Sequence, residues 1–419
     1  MESVSIRPAF GPYALLSAML VTAGAAFFQD DMVRAAAVCW SLLVPVILAG
    51  AFDKVVFDGR AITRRGPLAS LLARGARLPK RLSISDIETI TTETTSLSFS
   101  GGDARLSYQT RITGAGIEFV IKSARANYVP FIRKLFHAVG PDKLDPRSFE
   151  LFEYFETGKT LKNSPVLRNE IAGMPVPLVR RVANSLRLAG RLAQASSYFR
   201  IAYEREPRNP ELLYEMSRFF HSSAQTEDTR LLQRSDACLR LASRLAEGHP
   251  QLLERIGESF FERLDYKRAG ECFRRALELD PARFRANVGL AEIALRDGKL
   301  AHVAHFYNAA SAVADRALSR LAEREARYYE RLLGDDGFLE SELRRIRVSN
   351  QIRWARHVAA LTFLVAWIVA SVAGRFLTVV EDFSWALMAT SGLVWCAASF
   401  GLHHFKRGMT REDSAERDN

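Results

Sequence analysis

Apolar residues gather at the two ends of this chain, in four stretches that each approach the ~20 residues a helix needs to cross a bilayer core. They run from about Tyr13 to Phe28, Val33 to Ala51, His357 to Ala373 and Phe383 to Leu402. Hydrocarbon offers a backbone no hydrogen-bond partner, so segments of this kind are confined to helices. The whole-chain averages, 48% hydrophobic and 25% charged, resemble those of a soluble protein only because the middle is rich in Arg, Glu, Leu and Ala.

The stretches pair into hairpins. The first two are separated only by a short acidic connection, Gln29, Asp30 and Asp31. A second span following at once argues against a cleaved signal peptide. Basic residues crowd the outer flanks: Lys54, Arg60, Arg64, Arg65, Arg74, Arg77, Lys80 and Arg81 after the second stretch, and Arg344, Arg345, Arg347, Arg353 and Arg356 before the third. Lys406, Arg407 and Arg411 follow the fourth, while the hairpin loops carry Asp30, Asp31, Glu381 and Asp382 against Arg34 and Arg375. Positive charge stays on the cytoplasmic side. The pattern therefore predicts four transmembrane helices in a multi-pass protein of the bacterial inner membrane, with both termini and the centre cytoplasmic. Trp354, Trp367, Trp385 and Trp395 supply candidates for the interfacial aromatic belts. Ion pathways usually carry an ionisable residue at mid-span. None lies there, so anchoring is preferred to transport.

The net charge of +11 fits insertion topology and an anionic lipid surface. No nucleic-acid motif accompanies it, so nucleic acid is not expected as a partner. Cys39, Cys238, Cys272 and Cys396 form no CxxC pair, and two fall in apolar stretches; they read as small buried hydrophobes.

Residues 53–140 change to a strand-like pattern. Val55-Val56-Phe57 meets Asp58-Gly59, and Ala61-Ile62-Thr63-Arg64-Arg65 returns. Arg81 to Ser85 alternates, and Leu106 to Arg111 and Ile117 to Ile121 flank the turn Thr113-Gly114-Ala115-Gly116. A helix follows with Tyr128, Phe131, Ile132, Leu135 and Phe136 on one face. Antiparallel strands closed by one amphipathic helix resemble the pleckstrin-homology-like (PH-like) barrel, here of the kind found in bacterial membrane proteins. Ile62, Arg64, Arg65 and Gly66 match its "I-x-R-R-G" strand, and Leu82, Ile87 and Ile90 its next strand; the insert from Pro67 to Pro79 departs from it. The resemblance implies a small β-barrel, with Arg64, Arg65, Arg74, Arg77, Lys80 and Arg81 as candidate lipid-headgroup contacts.

The centre repeats itself. In the 34 residues from Pro250 to Arg283, Leu253, Ile256, Gly257, Phe260, Ala269, Phe273, Ala276 and Pro281 occupy positions 4, 7, 8, 11, 20, 24, 27 and 32. Val179, Val182, Ala183, Leu186, Ala195, Phe199, Ala202 and Pro207 fall in the same register from Val176. Small residues at positions 8 and 20 let two helices of one repeat approach closely, and proline ends the second helix. A unit from Phe284 carries Leu290, Ala291, Ala294, Val303, Tyr307 and Ala310. The unit Pro210 to His249 has Leu213, Met216, Ser217 and Phe220, an enlarged turn, and Ala237 and Leu241. Leu318 to Leu333 reads as a cap. The pattern resembles the tetratricopeptide repeat (TPR). That resemblance implies an all-α solenoid whose concave groove binds another protein, through Arg180, Arg181, Asn184, Arg187, Glu254, Glu258, Phe261, Glu262, Val288, Glu292 and Leu295.

The organisation expected is a hairpin (1–52), a PH-like domain (53–140), a linker (141–175), a solenoid (176–334), a basic juxtamembrane segment (335–356), a second hairpin (357–403) and a tail (404–419). Phe149, Leu151, Phe152, Tyr154 and Phe155 give the linker an aromatic cluster, expected to pack between barrel and repeats or against the membrane. His302 and His305 lack a third ligand at workable spacing, so neither metal nor cofactor is expected. No phosphate loop, nucleophile elbow or zinc-protease motif occurs. The reading is a membrane-anchored adaptor rather than an enzyme, open to oligomerisation, with a transport or secretion component or a lipid-sensing module as alternatives.

Overall fold

The first sheet begins upstream of the first apolar helix. The computed structural model describes residues 3–7, 11–29, 32–66, 81–98, 104–123, 127–161, 173–224, 228–313, 315–373 and 378–415. In it, strand β1 (Val4–Ile6) pairs antiparallel with β2 (Lys54–Phe57), with Val4 opposite Phe57 and Ile6 opposite Val55. Helices α1 (Gly11–Gln29) and α2 (Val33–Phe52) are therefore an insertion between neighbouring strands. Asp53 ends α2 with 1% of its surface exposed. Its carboxylate accepts from the Tyr13 hydroxyl on α1 at 2.8 Å and from Arg64 on β3 (Ala61–Arg65) at 3.0 and 2.6 Å. A buried carboxylate requires such donors, and here they fix both feet of the hairpin to the sheet.

β4 (Arg81–Ser83) completes a sheet of order β1-β2-β3-β4. A second sheet is β5 (Thr89–Ser98), β6 (Ala104–Gly114) and β7 (Ile117–Lys122). The PH-like barrel is not formed: both sheets are open, and among the described residues no strand of one pairs with a strand of the other. The segment between β4 and β5 shows why. Ile84–Asp86 is a 3-10 turn, and the Ile87 amide donates to the Ile84 carbonyl instead of to a neighbouring strand. The sheets share one apolar core with α3 (Tyr128–Val139), built from Phe57, Ile62, Leu82, Ile90, Ile112, Phe131 and Leu135 among others. Leu151 and Phe155 of α4 (Pro146–Leu161) complete it. A buried chain of hydroxyls crosses this core. Thr92 contacts Ser148 at 2.7 Å and Thr110 at 3.2 Å, and Thr110 contacts the Tyr128 hydroxyl at 2.7 Å.

The four-span arrangement is also corrected. Among the described residues only Val33–Phe52 and Asp336–Ala370 are long and apolar enough to cross a membrane, and little of either is buried inside the protein. The apolar runs of the other two stretches, Leu16–Ala25 and Phe383–Ser399, are shorter than eighteen residues.

Helices then pair antiparallel: α5 (Val176–Leu188) with α6 (Leu192–Arg205), α7 (Pro210–Ser223) with α8 (Thr229–Leu245), and α9 (Pro250–Glu262) with α10 (Tyr266–Leu279). Helix α11 (Phe284–Arg296) stacks on α10, and α12 (Leu300–Ala310) and α13 (Arg316–Gly334) follow. Two compact units are distinguished, Met1–Gly298 with Phe306–Ala322, and Lys299–His305 with Glu323–Asn419. In the second, α14 (Asp336–Ala373) and α15 (Thr378–Ala415) pack along each other.

Within the array, the register expected for α8 is displaced by two residues. Ala237 is exposed, and the helix instead buries Ser235, Leu239 and Ala242. The Ser235 hydroxyl donates to the Ser217 carbonyl at 2.6 Å, so two serines take the places of the small apolar pair. Phe273 is held between two glycines. A Cβ at Gly257 would lie 2.7 Å from its ring, and one at Gly289 2.5 Å. Overpacking of this kind costs about 1–3 kcal/mol. Gly257→Val is expected to lower the thermal midpoint, and Phe273→Leu in the same chain to restore part of the loss; additive losses would contradict the contact.

The turns after α5, α9 and α11 place Gly190, Leu264 and Gly298 at φ 79°, 65° and 72°. Leucine at such a position carries a steric cost of roughly 1 kcal/mol that glycine avoids. Leu264, 68% exposed, contributes little burial in return. Leu264→Gly should therefore raise stability by up to about 1 kcal/mol in chemical denaturation, and a loss would refute the strain argument.

Candidate functional site

Helix α4 lies against the inner face of the array, touching the first helix of successive pairs. Asp145 starts it, accepting the amides of Ser148 at 2.9 Å and Thr92 at 3.1 Å. One face of α4 turns Leu151 and Phe155 into the sheet core. The next carries Phe149, Glu150 and Glu153 to the array. Glu150, 2% exposed, accepts from Arg187 of α5 at 2.7 Å and is ion-paired with Arg218 of α7 at 2.6 Å. Arg255 of α9 is stacked between the rings of Phe149 and Tyr214, with its guanidinium carbon 4.9 Å from each centroid. Such cation–π contacts strengthen where water is excluded.

Further pairs surround this centre. Arg180 joins Glu211 and Glu215, Arg147 reaches Glu262 at 3.6 Å, and Arg285 reaches Glu258 at 3.1 Å. Arg283 pairs with Glu254, which also accepts the Ala286 amide at 3.1 Å. The Tyr108 hydroxyl of β6 donates to the Leu188 carbonyl. Nearer the end of the array, Lys143 meets Asp315 at 3.0 Å and Arg320 meets Asp86 at 3.2 Å.

The proposed groove residues thus separate into groups. Arg187 reaches Glu150 of α4, with Asn184 accepting from Arg187 at 2.8 Å, while Arg180 is paired with Glu211 and Glu215 of α7. Glu254, Glu258 and Glu262 are committed to arginines of the same unit. Phe261 packs edge-on to Tyr266, Val288 is half-buried, and Arg181, Glu292 and Leu295 are exposed. Of the headgroup candidates, Arg64 is held by Asp53, Arg65 and Arg81 are exposed, and Arg74, Arg77 and Lys80 lie outside the described residues. Sequence reasoning missed Tyr214, Glu215, Arg218, Arg255 and above all Glu150. Tyr214 and Arg218 occupy positions 5 and 9 of the unit starting at Pro210, the same positions that named Arg180 and Asn184 in the unit before it.

Burial opposes ionisation throughout this site. For Glu150 the guanidiniums of Arg187, Arg218 and Arg255 outweigh it and hold the carboxyl below the usual range. Glu215 has burial against it and Glu153 nearby, with Arg180 as its nearest cation, and is pushed up to about 8. The Arg180–Glu215 pair, 3.1 Å apart, is not aligned as a hydrogen bond, so it offsets burial poorly. Glu258 is pushed up to about 7 by burial and by Glu254, against the pull of Arg285.

No family model matches the chain, and no curated protein matches it.

The arrangement is a set of cations, Arg187, Arg218 and Arg255, met by the carboxylate and ring of α4. Its pH dependence follows from the shifts. Glu215 and Glu258 lose their protons near 4.5 when unfolded and near 8 and 7 when folded. The folded chain therefore binds more protons between these limits, and stability falls as pH rises through them. Glu150 has the opposite sign, contributing at neutral pH and losing its effect only in acid. Glu215→Gln should melt above the wild type at pH 8, with the margin vanishing near pH 5. A margin unchanged by pH would overturn the assignment.

Proposed function

We propose that this protein is a membrane-tethered scaffold whose helical array takes up a segment of another protein at the cytoplasmic face. The observation that carries this reading is the array itself. Helix pairs stacked by small residues, with an inner face rich in Arg and Glu, make a surface suited to recognising an extended or helical partner, and the register resembles the tetratricopeptide repeat. Two helices apolar enough to cross a bilayer flank that array in the chain. Helix α2, the first of the two, ends at Asp53 directly before β2, so the sheet lies at one end of that candidate span. Helix α14 has 38 residues, about 57 Å at 1.5 Å each, against a hydrocarbon core of about 30 Å. Its first half, with Arg344, Arg345, Arg347 and Arg353, then stands outside the core on the positive, cytoplasmic side. The exposed Arg65 and Arg81 suit the same anionic surface.

A single cysteine introduced as Leu279→Cys, an exposed position on α10, tests the placement. A membrane-impermeant maleimide should label it in inverted vesicles and leave it untouched in intact cells, over the background of the parent chain. Labelling from the outside would end this reading. Capture of the full chain from mild-detergent extracts should then recover a partner that is lost when residues 176–322 are absent.

A further inference from the structure

Helix α4 belongs to the sheets by its apolar contacts and to the array only by its charges. Leu151 and Phe155 sit in the sheet core, while the two apolar clusters of the array, around Phe199 and around Phe273, close without any residue of α4. The surface between them holds Glu150, Arg187, Arg218 and Arg255, flanked by Arg147 with Glu262 and Arg285 with Glu258. An interface between parts of one chain that is polar rather than apolar resembles a transient complex and separates readily. Several of its buried atoms also lack an aligned hydrogen-bond partner, among them Glu150 Oε1, Arg218 Nε, Arg255 Nε and Glu215 Oε2. Buried charges satisfied in this incomplete way add little to stability, however specific their arrangement.

From these observations we infer that the inner face of α5, α7 and α9 is a binding site for an acidic, aromatic helix, and that α4 is its resident occupant, held there until a partner helix of the same chemistry replaces it. The partner presents a carboxylate to Arg187 and Arg218 and a neighbouring ring to Arg255, as Glu150 and Phe149 do. The sheets and α4 leave as one body, because parting them from the array exposes charge and not apolar core. This rests on the scaffold reading above and gives its ligand a chemistry. It also makes the wild-type chain a weak binder, since affinity is reduced by the fraction of molecules with the site open.

The probe is a labelled synthetic peptide with the sequence of residues 146–161, titrated into the full chain in detergent. Wild type should bind it weakly, and Glu150→Ala about tenfold more tightly, because the resident helix has lost its carboxylate. A peptide carrying E150Q and E153Q should lose that gain, and Arg218→Glu added to Glu150→Ala should abolish binding. If Glu150→Ala does not fold, Glu150→Gln carries the same comparison while keeping the side-chain volume. Equal binding by wild type and the folded variant overturns the inference, as does equal binding of the two peptides. Recovery of a membrane partner by a chain that ignores the peptide removes this inference and leaves the scaffold standing. Peptide binding with no partner recovered does the reverse.

Discussion

The carboxylate of Glu150 stands among three guanidiniums in a place that water does not reach, and the arrangement of the larger unit follows from it. Arg187 and Arg218 belong to successive helix pairs, and Arg255, stacked between Phe149 and Tyr214, belongs to the next. One acidic side chain thereby ties three successive helix pairs, which pack on one another through their own apolar clusters, to the sheets. Removing it would leave three cations buried with too little negative charge. Breaking a buried pair from one side typically costs about 3–5 kcal/mol, far more than the intact pair contributes. Glu215, whose ion pair with Arg180 is poorly aligned and which has Glu153 nearby, is instead pushed up by burial to about 8.

A second buried carboxylate does comparable work at the other end of the sheets. Asp53 joins Tyr13 of α1 to Arg64 of β3 at the point where α2 ends. Between Asp53 and Glu150 runs one continuous core, from Phe57 and Ile62 through Phe131 to Leu151, crossed by the hydroxyl chain from Tyr128 to Ser148. The apolar hairpin, the sheets and α4 are thus one packed body. Within it the hairpin is pinned at both feet by Asp53, whereas its contact with the array is a layer of ion pairs. Any separation within this unit falls on that layer.

What the sequence made legible divides along physical lines. Helical periodicity and small-residue spacing are local in the chain, so the helix pairs and the close approach at Gly257 could be read, as could the apolar face of α3. The slip in α8 arose where serine stands for alanine: Ser217 falls in the pattern, but its partner across the contact, Ser235, is passed over by a search for small apolar residues. The barrel failed for a different reason. Strand alternation specifies which face is buried but not which edges pair, and the turn at Ile84–Asp86 decides that locally. β1 has only three residues and pairs with a strand some fifty residues away, so it leaves no periodic trace. The four-span reading rested on apolar stretches whose continuous apolar runs are, in two cases, too short. Glu150 was the least legible of all. In sequence it is one acidic residue in an aromatic segment, and nothing local distinguishes it from a solvated glutamate; its role exists only because three arginines more than thirty residues away converge on it.

That convergence bears on why the inner face is charged. An apolar face covered by an apolar helix would have been more stable, since replacing buried ion pairs by packed hydrophobic groups is often neutral or favourable. It would also have accepted almost any amphipathic helix. Arg187, Arg218 and Arg255 penalise every occupant that fails to bring a carboxylate and a ring to the right place, because each unmatched cation is left desolvated. In the proposed exchange, selectivity comes from the cost of a wrong occupant more than from the gain of a right one. The same cost keeps the array closed on α4 in the absence of a partner: an empty inner face would surround three arginines with the low-dielectric walls of the repeats and give them nothing to pair with.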